Sequence, residues 1–226
     1  MLILSHRGYH LRAPENTLDA FEQAMALGVD GIETDIRLSA DGVLILFHDH
    51  LAPDCREVAL LTHAELGAAT GYPVPTLEAA LELPLQAKPD FLWNLEMKSP
   101  AALDKAISVV SRFLSSRRML ITSFAHPLIA EVSRRVDVDC GLIVAHRPLD
   151  FRSRPKWIPE NPRVNAIVWY CENADAALLE QSAACGLRNF VYGAVTAAEH
   201  HRLKEWNLDG VITDRPEWLL AGSVGT

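Results

Sequence analysis

Short apolar runs alternate with amphipathic stretches along almost the whole chain. The runs Leu2–Ser5, Gly31–Leu38, Val43–Phe47, Phe91–Glu96, Met119–Ser123, Gly141–Val144, Ala166–Trp169, Asn189–Tyr192 and Gly210–Thr213 read as strands. Between most of them, Thr17–Leu27, Ala101–Ser115, Pro127–Arg135, Ala174–Cys185 and Thr196–Trp206 read as helices. That alternation predicts βα units around a parallel sheet. The first helix is signed at both ends, with Asn16 as the expected N-cap, Asp19 in the first turn and Gly28 just beyond the last.

The strands number one more than the eight of a (β/α) barrel. Only Ser39-Ala40-Asp41-Gly42 separates the second run from the third, whereas a parallel crossover takes a dozen or more residues. Asp-Gly is a hairpin signal, so Val43–Phe47 is expected to return antiparallel to the second strand. The fold expected is a TIM-like (β/α)8 barrel with a β-hairpin return arm after the second strand. A two-residue turn at Ala40-Asp41 would set Glu33 opposite His48 and put Glu33, Asp35, Leu46 and His48 on one face.

No linker, low-complexity tract or long-period repeat divides the 226 residues, so a single domain is expected over 1–226. The apolar share of 49% supplies a sizeable core, and no stretch reaches the ~18 apolar residues of a membrane span. The N-terminus lacks a basic leader, and the expectation is a soluble, cytoplasmic protein. The four cysteines (Cys55, Cys140, Cys171, Cys185) form no Cys-x-x-Cys pair and read as reduced thiols. The formal charge of −8 argues against nucleic acid or another polyanion as partner. A phosphate must therefore be held locally, by a few cations or a metal. Basic residues gather in the Pro-rich stretch Arg147–Arg163, which reads as a solvated loop, or more sharply as a flap near a phosphate.

In such barrels functional groups stand at the C-terminal ends of the strands. Read in order, those ends carry His6-Arg7-Gly8, Glu33-Thr34-Asp35, Phe47-His48-Asp49, Asn94-Leu95-Glu96-Met97-Lys98 and Thr213-Asp214. Glu33, Asp35 and Glu96 would repel one another unless a divalent cation, Mg2+ or Ca2+, joined them. Zinc suits the site less, since no cysteine lies near. His6 and His48, which titrate near neutrality, form the candidate acid–base pair. Arg7 can fork onto phosphate oxygens, and Lys98 lies two residues from Glu96 on the same strand face. The other histidines have no such placement, and His200-His201 is expected on an exposed helix face.

His6-Arg7-Gly8, Pro14-Glu15-Asn16-Thr17, Glu33-x-Asp35, Asp41-Gly42, His48-Asp49, Glu96-x-Lys98 and Thr213-Asp214-x-Pro216 resemble, in order, the motifs of glycerophosphodiester phosphodiesterases. The resemblance implies a barrel fold, a metal on Glu33, Asp35 and Glu96, acid–base roles for His6 and His48, and phosphate contacts from Arg7 and Lys98. It further implies cleavage of a small glycerophosphodiester to glycerol 3-phosphate and an alcohol. The attacking oxygen is then either a water or the glycerol 2-hydroxyl, the second route passing through a cyclic phosphate. Two departures bear on the alcohol side. Only Leu51-to-Val74 intervenes where the family usually carries a longer insertion, and Tyr192-Gly193-Ala194-Val195 replaces a Trp-Thr-Val-Asn stretch. Two other readings stand beside this one: a lyase that stops at the cyclic phosphate, and a non-catalytic phosphoester-binding barrel. Head group and oligomeric state are not written in the sequence.

Overall fold

Residues 1–85, 88, 90–148, 151 and 153–220 are described by the computed structural model. The strands form where the apolar runs lie: β1 (Leu2–His6), β2 (Gly31–Leu38), β3 (Leu44–Leu46), β4 (Leu92–Met97), β5 (Arg118–Ser123), β6 (Asp139–Val144), β7 (Val164–Tyr170), β8 (Arg188–Tyr192) and β9 (Gly210–Thr213). Helices α1 (Leu18–Leu27), α2 (His63–Thr70), α3 (Leu77–Leu81), α4 (Leu103–Phe113), α5 (His126–Arg135), α6 (Ala176–Ala184) and α7 (Ala197–Lys204) connect them. Neighbouring strands run β1-β9-β8-β7-β6-β5-β4-β2, and β1 pairs with β2 to close the ring. Eight parallel strands thus make the barrel, and β3 pairs antiparallel with β2 outside it.

The two-residue period of the strands sorts side chains between two cores. Leu4, Leu92, Leu120, Ile143, Val168 and Phe190 fill the barrel interior. Ile3, Ile32, Trp93, Leu95 and Ile121 alternate with them and face the helices. Following the interior column upward leads from Leu4 to His6, from Gly31 to Glu33 and Asp35, and from Leu92 to Asn94 and Glu96. Register then levels these ends, because His6 pairs with Glu33, Glu33 with Asn94, and Asp35 with Glu96.

The return arm differs from expectation by one residue. Ile36 pairs with Leu46 and Leu38 with Leu44, so the connection is the three residues Ala40-Asp41-Gly42. Ser39 explains the longer turn: its Oγ donates to Asp41 Oδ1 at 2.6 Å, and its carbonyl accepts from Gly42 N at 3.0 Å. Gly42 then takes the left-handed φ of 77° that closes such a turn. Leu46 consequently joins Ile36 in the outer core and does not share the face of Glu33 and Asp35. His48 still reaches the rim, because regular pairing ends at Leu46 and Arg37 draws the His48 carbonyl back with bonds of 3.0 and 2.7 Å.

Three further readings need correcting. Thr17, not Asn16, caps α1, its hydroxyl accepting from Ala20 N, while Gly28 ends the helix in the left-handed conformation as expected. Helices α2 and α3 occupy a stretch where no helix was expected. Residues 39–76 build a separate small core there from Ile45, Val58, Leu61, Leu66 and Val74. His200 is fully buried, although the exposed position of His201 is as expected.

The basic stretch has no cation spare for a phosphate at most of its described positions. Arg154 donates to the carbonyls of Cys185, Pro159 and Val164, Arg147 pairs with Asp175, and Arg163 with Asp137. Arg152 lies outside the described residues.

Candidate active site

At the C-terminal rim a cavity of about 140 Å3 is lined by His6, Arg7, Glu33, His48, Asn94, Glu96 and Lys98 on one side. Phe124, Ile143, Val168, Tyr192 and Ile212 line the other. The candidate acid–base, phosphate and metal residues, apart from fully buried Asp35 beneath them, thus meet in one place.

Sharp backbone turns bring the first of them in. Arg7 has a φ of 56° and Asn16 one of 57°, both left-handed, a strain that persists only where surroundings impose it. Gly8 follows at φ 79° and packs so close to α1 that a Cβ would lie 2.7 Å from the Ala20 carbonyl carbon, which excludes any other residue. Asn16, freed from capping, bridges the site: its Nδ2 donates to Asp35 Oδ2 at 2.8 Å and its Oδ1 accepts from Thr34 Oγ1 at 2.6 Å.

Glu33, Asp35 and Glu96 each offer a carboxylate oxygen, all within 4.8 Å of one another. Their counter-charges are unequal. Lys98 Nζ stands 2.9 Å from Asp35 Oδ1 and 2.5 Å from Glu96 Oε1, and Arg7 Nε is 3.2 Å from Asp35 Oδ2. Glu33 has within 4 Å only His6 Nε2, at 3.7 Å, among the described residues, with Lys98 and Arg7 acting from further off, and neither of its buried oxygens has a hydrogen-bond partner. Burial first, then the charges of Asp35 and Glu96, hold the Glu33 carboxyl well above the usual range. Burial also raises Glu96, with Lys98 opposing it. For Asp35 burial is outweighed by Lys98, Arg7 and the Asn16 bond, so it lies below its ordinary value. A buried carboxylate with two unsatisfied oxygens beside two more hard oxygen donors fits a divalent cation, and the triad can hold one.

Both imidazoles are oriented by aspartates. His6 Nδ1 lies 2.6 Å from Asp214 Oδ1, and His48 Nδ1 lies 2.8 Å from Asp49 Oδ1. A carboxylate can only accept, so each Nδ1 carries the proton and each Nε2 is left for substrate. Asp214 itself sits in a braced turn. Arg215 N donates to Thr213 Oγ1 at 2.9 Å, and the Thr213 hydroxyl meets His200 Nε2 at 2.6 Å. His200 Nδ1 faces the Thr196 carbonyl at 2.7 Å, which fixes its proton there and makes Nε2 the acceptor from Thr213. Trp218 packs edge-on against the His200 ring, with centroids 5.0 Å apart. Burial pushes the Asp214 carboxyl up, but the bonds and charges of His10 and His6 outweigh it and leave it far below the carboxylate range.

Sequence reasoning missed three participants. Pattern alone gives Asn16 to a cap, leaves Asp214 on the rim without a role, and gives His10 no placement although its Nε2 lies 3.0 Å from Asp214 Oδ1. The motif Pro14-Glu15-Asn16-Thr17 carried a signal for the first and Thr213-Asp214 for the second, but none pointed to His10. Arg7 departs from a free fork: its Nη1 is bound to both Glu15 oxygens, at 3.0 and 2.9 Å. His63 and His126 are engaged by the backbone carbonyls of Val74 and Ile143, and Trp169 is core, its Nε1 donating to Asn189.

The barrel with this rim defines a hydrolase of phosphodiesters. Residues 6–218 match the glycerophosphoryl diester phosphodiesterase family, and the chain belongs to it. It is similar to a glycerophosphodiester phosphodiesterase of Caldanaerobacter subterraneus subsp. tengcongensis, with 29% identity over 97% of this chain and 96% of the relative. Among solved structures it resembles a Thermotoga maritima glycerophosphodiester phosphodiesterase (TM-score 0.79, 24% identity, covering 97% of this chain and 96% of that one). It also resembles an Oleispira antarctica phosphodiesterase solved with the product sn-glycerol-3-phosphate (TM-score 0.78, 21% identity, 96% and 94% covered). Among the described residues no helix is long and apolar enough to cross a membrane.

Proposed function

We propose that the chain hydrolyses a small glycerophosphodiester to glycerol 3-phosphate and an alcohol in the rim cavity, with Glu33, Asp35 and Glu96 holding Mg2+ or Ca2+. The observation that carries this is the pairing of two aspartate-oriented imidazoles with a buried carboxylate, Glu33, whose oxygens have no partner. The product bound to the Oleispira relative supports glycerol 3-phosphate as the retained half. His6, its Nδ1 proton held by Asp214, accepts the proton of the attacking oxygen at Nε2. His48, its Nδ1 proton held by Asp49, must carry a second proton at Nε2, which it gives to the departing alkoxide, returning to the neutral ring. Lys98 and the part of Arg7 not engaged by Glu15 bind the non-bridging oxygens and offset their charge. When bound, a divalent cation supplies further positive charge against those oxygens. The four free cysteines suit a reducing compartment, and we place the enzyme in the cytoplasm.

The test is a panel of glycerophosphodiesters assayed with the purified protein in chelator and after return of Mg2+ or Ca2+. Turnover is expected to vanish in chelator and return with the ion. Full turnover by a Glu33→Ala, Glu96→Ala double variant in chelator would overturn the metal assignment. Accumulation of a cyclic phosphate as the end product would replace the hydrolase by a lyase.

A further inference from the structure

We propose that His10 is a further positioning residue, which acts on His6 by holding the other side of Asp214. This rests on the assignment of His6 as the base. One oxygen, Asp214 Oδ1, serves both rings: His6 Nδ1 at 2.6 Å and His10 Nε2 at 3.0 Å. A carboxylate oxygen has two lone pairs, so it accepts from both at once. The Asp214 side chain is 45% exposed, and the two histidines are its side-chain partners among the described residues. With His6 alone, an exposed carboxylate would be free to turn towards water and to surrender the Nδ1 proton that fixes the His6 tautomer.

His10 is brought to Asp214 by the same strained turn that presents Arg7. His10 N donates to the Gly8 carbonyl at 3.0 Å, and Tyr9 N to the Ala20 carbonyl at 2.8 Å. The loop is thereby stitched down on both sides of the ring, and its side chain is 23% exposed against 26% for His6. Asp214 and Glu15 face the His10 ring as anions and Arg7 as a cation. The bond to Asp214 leads in raising His10 above its ordinary value, against burial. The Nε2–H that His10 turns to Asp214 is a donor to a carboxylate, the stronger kind of hydrogen bond. The arrangement is a clamp with His10 and His6 as its jaws and Asp214 between them.

Removing one jaw leaves the chemistry in place and loosens it. For His10→Phe, kcat is expected to fall roughly ten- to a hundredfold, the range for slight misplacement of a reacting group, with KM nearly unchanged. His10→Gln, whose amide can still donate to Asp214, should recover most of the rate. In proton NMR of the folded protein the short His6–Asp214 bond should give a downfield imidazole signal. That signal should be lost or broadened in His10→Phe and present in His10→Gln. Combining His10→Phe with Asp214→Asn should cost no more than Asp214→Asn alone. The proposal is overturned if His10→Phe keeps the downfield signal and the wild-type kcat, or if His10→Gln fares as badly as His10→Phe. A His6→Ala variant separates the two readings: undiminished turnover there removes His6 as base, while the downfield signal, compared between wild type and His10→Phe with His6 in place, still reports whether His10 holds Asp214.

Discussion

The two sides of the rim cavity are made by one rule and serve opposite ends. On the side of β1, β2 and β4, the interior column that begins in Leu4 and Leu92 ends in His6, Glu33, Asp35, Asn94 and Glu96. On the side of β6 to β9 the same column ends in Ile143, Val168, Tyr192 and Ile212, with Phe124 over it from the loop after β5. The polar side is tied internally by hydrogen bonds and ion pairs, with the Glu33 oxygens left without a hydrogen-bond partner. The apolar side is held by packing and ring contacts, with Phe124 edge-on to Tyr192 at 6.2 Å and Tyr170 5.4 Å from Tyr192. Burial with the Glu96 and Tyr170 charges raises the Tyr192 phenol to about 12, so at neutral pH this wall carries no charge. Substitutions on the first side should therefore change the rate, and those on the second the choice of alcohol.

The largest effect expected from a single residue of the polar side is that of His48→Ala. Turnover should drop by roughly two to four orders of magnitude if this ring protonates the alkoxide; a near-wild-type rate would remove it from the mechanism.

Asn16→Ala should act one step further out. It strips Asp35 of a hydrogen bond, and ion affinity should fall by roughly ten- to a hundredfold, read by calorimetry. The wild-type protein supplies a companion measurement. The raised Glu33 and Glu96 carboxyls retain protons to higher pH in the metal-free state, and an ion must displace them. Affinity should rise with pH, with proton release visible as a buffer-dependent enthalpy; a flat pH dependence would contradict the shared site.

The smallest effect should come from Phe124→Ala on the apolar side, whose ring is 48% exposed. We expect kcat to change less than about tenfold while the ranking of alcohols shifts, since apolar pocket contacts discriminate by about 1–3 kcal/mol. An unchanged ranking together with a collapsed kcat would erase the contrast between the two sides.

The polar side was also the more legible in the sequence. Alternation placed Glu33, Asp35 and Glu96 correctly, because a strand's period of two needs no knowledge of distant chain. The hairpin arm was foreseen, yet its register was off by one: the Ser39 hydroxyl, which lengthens the turn, competes with a backbone preference that pattern alone ranks first. Asn16 and Thr17 are both good caps, and only the buried Asp35 carboxylate, remote in sequence, decides which of them caps the helix. His200 reads as a surface residue on a polar helix, but Thr213 and Trp218 arrive from later in the chain and bury it. His10 was invisible for the same reason, its partner lying 204 residues away. Helix α2 buries only Leu66, too little apolar surface to leave a period.

The small core under residues 39–76 gives the two imidazoles different foundations. His6 is part of a closed ring of strands, whereas His48 leaves an arm held on one face by Leu44 and Leu46 in the outer core and on the other by Ile45 in the small core around Leu66 and Val58. Such patches open as units at lower free energy than the strands beside them. The heat tolerance of turnover would then be set by this annex and lost before the barrel melts. A lineage could also shorten or enlarge the annex without disturbing the carboxylates beneath.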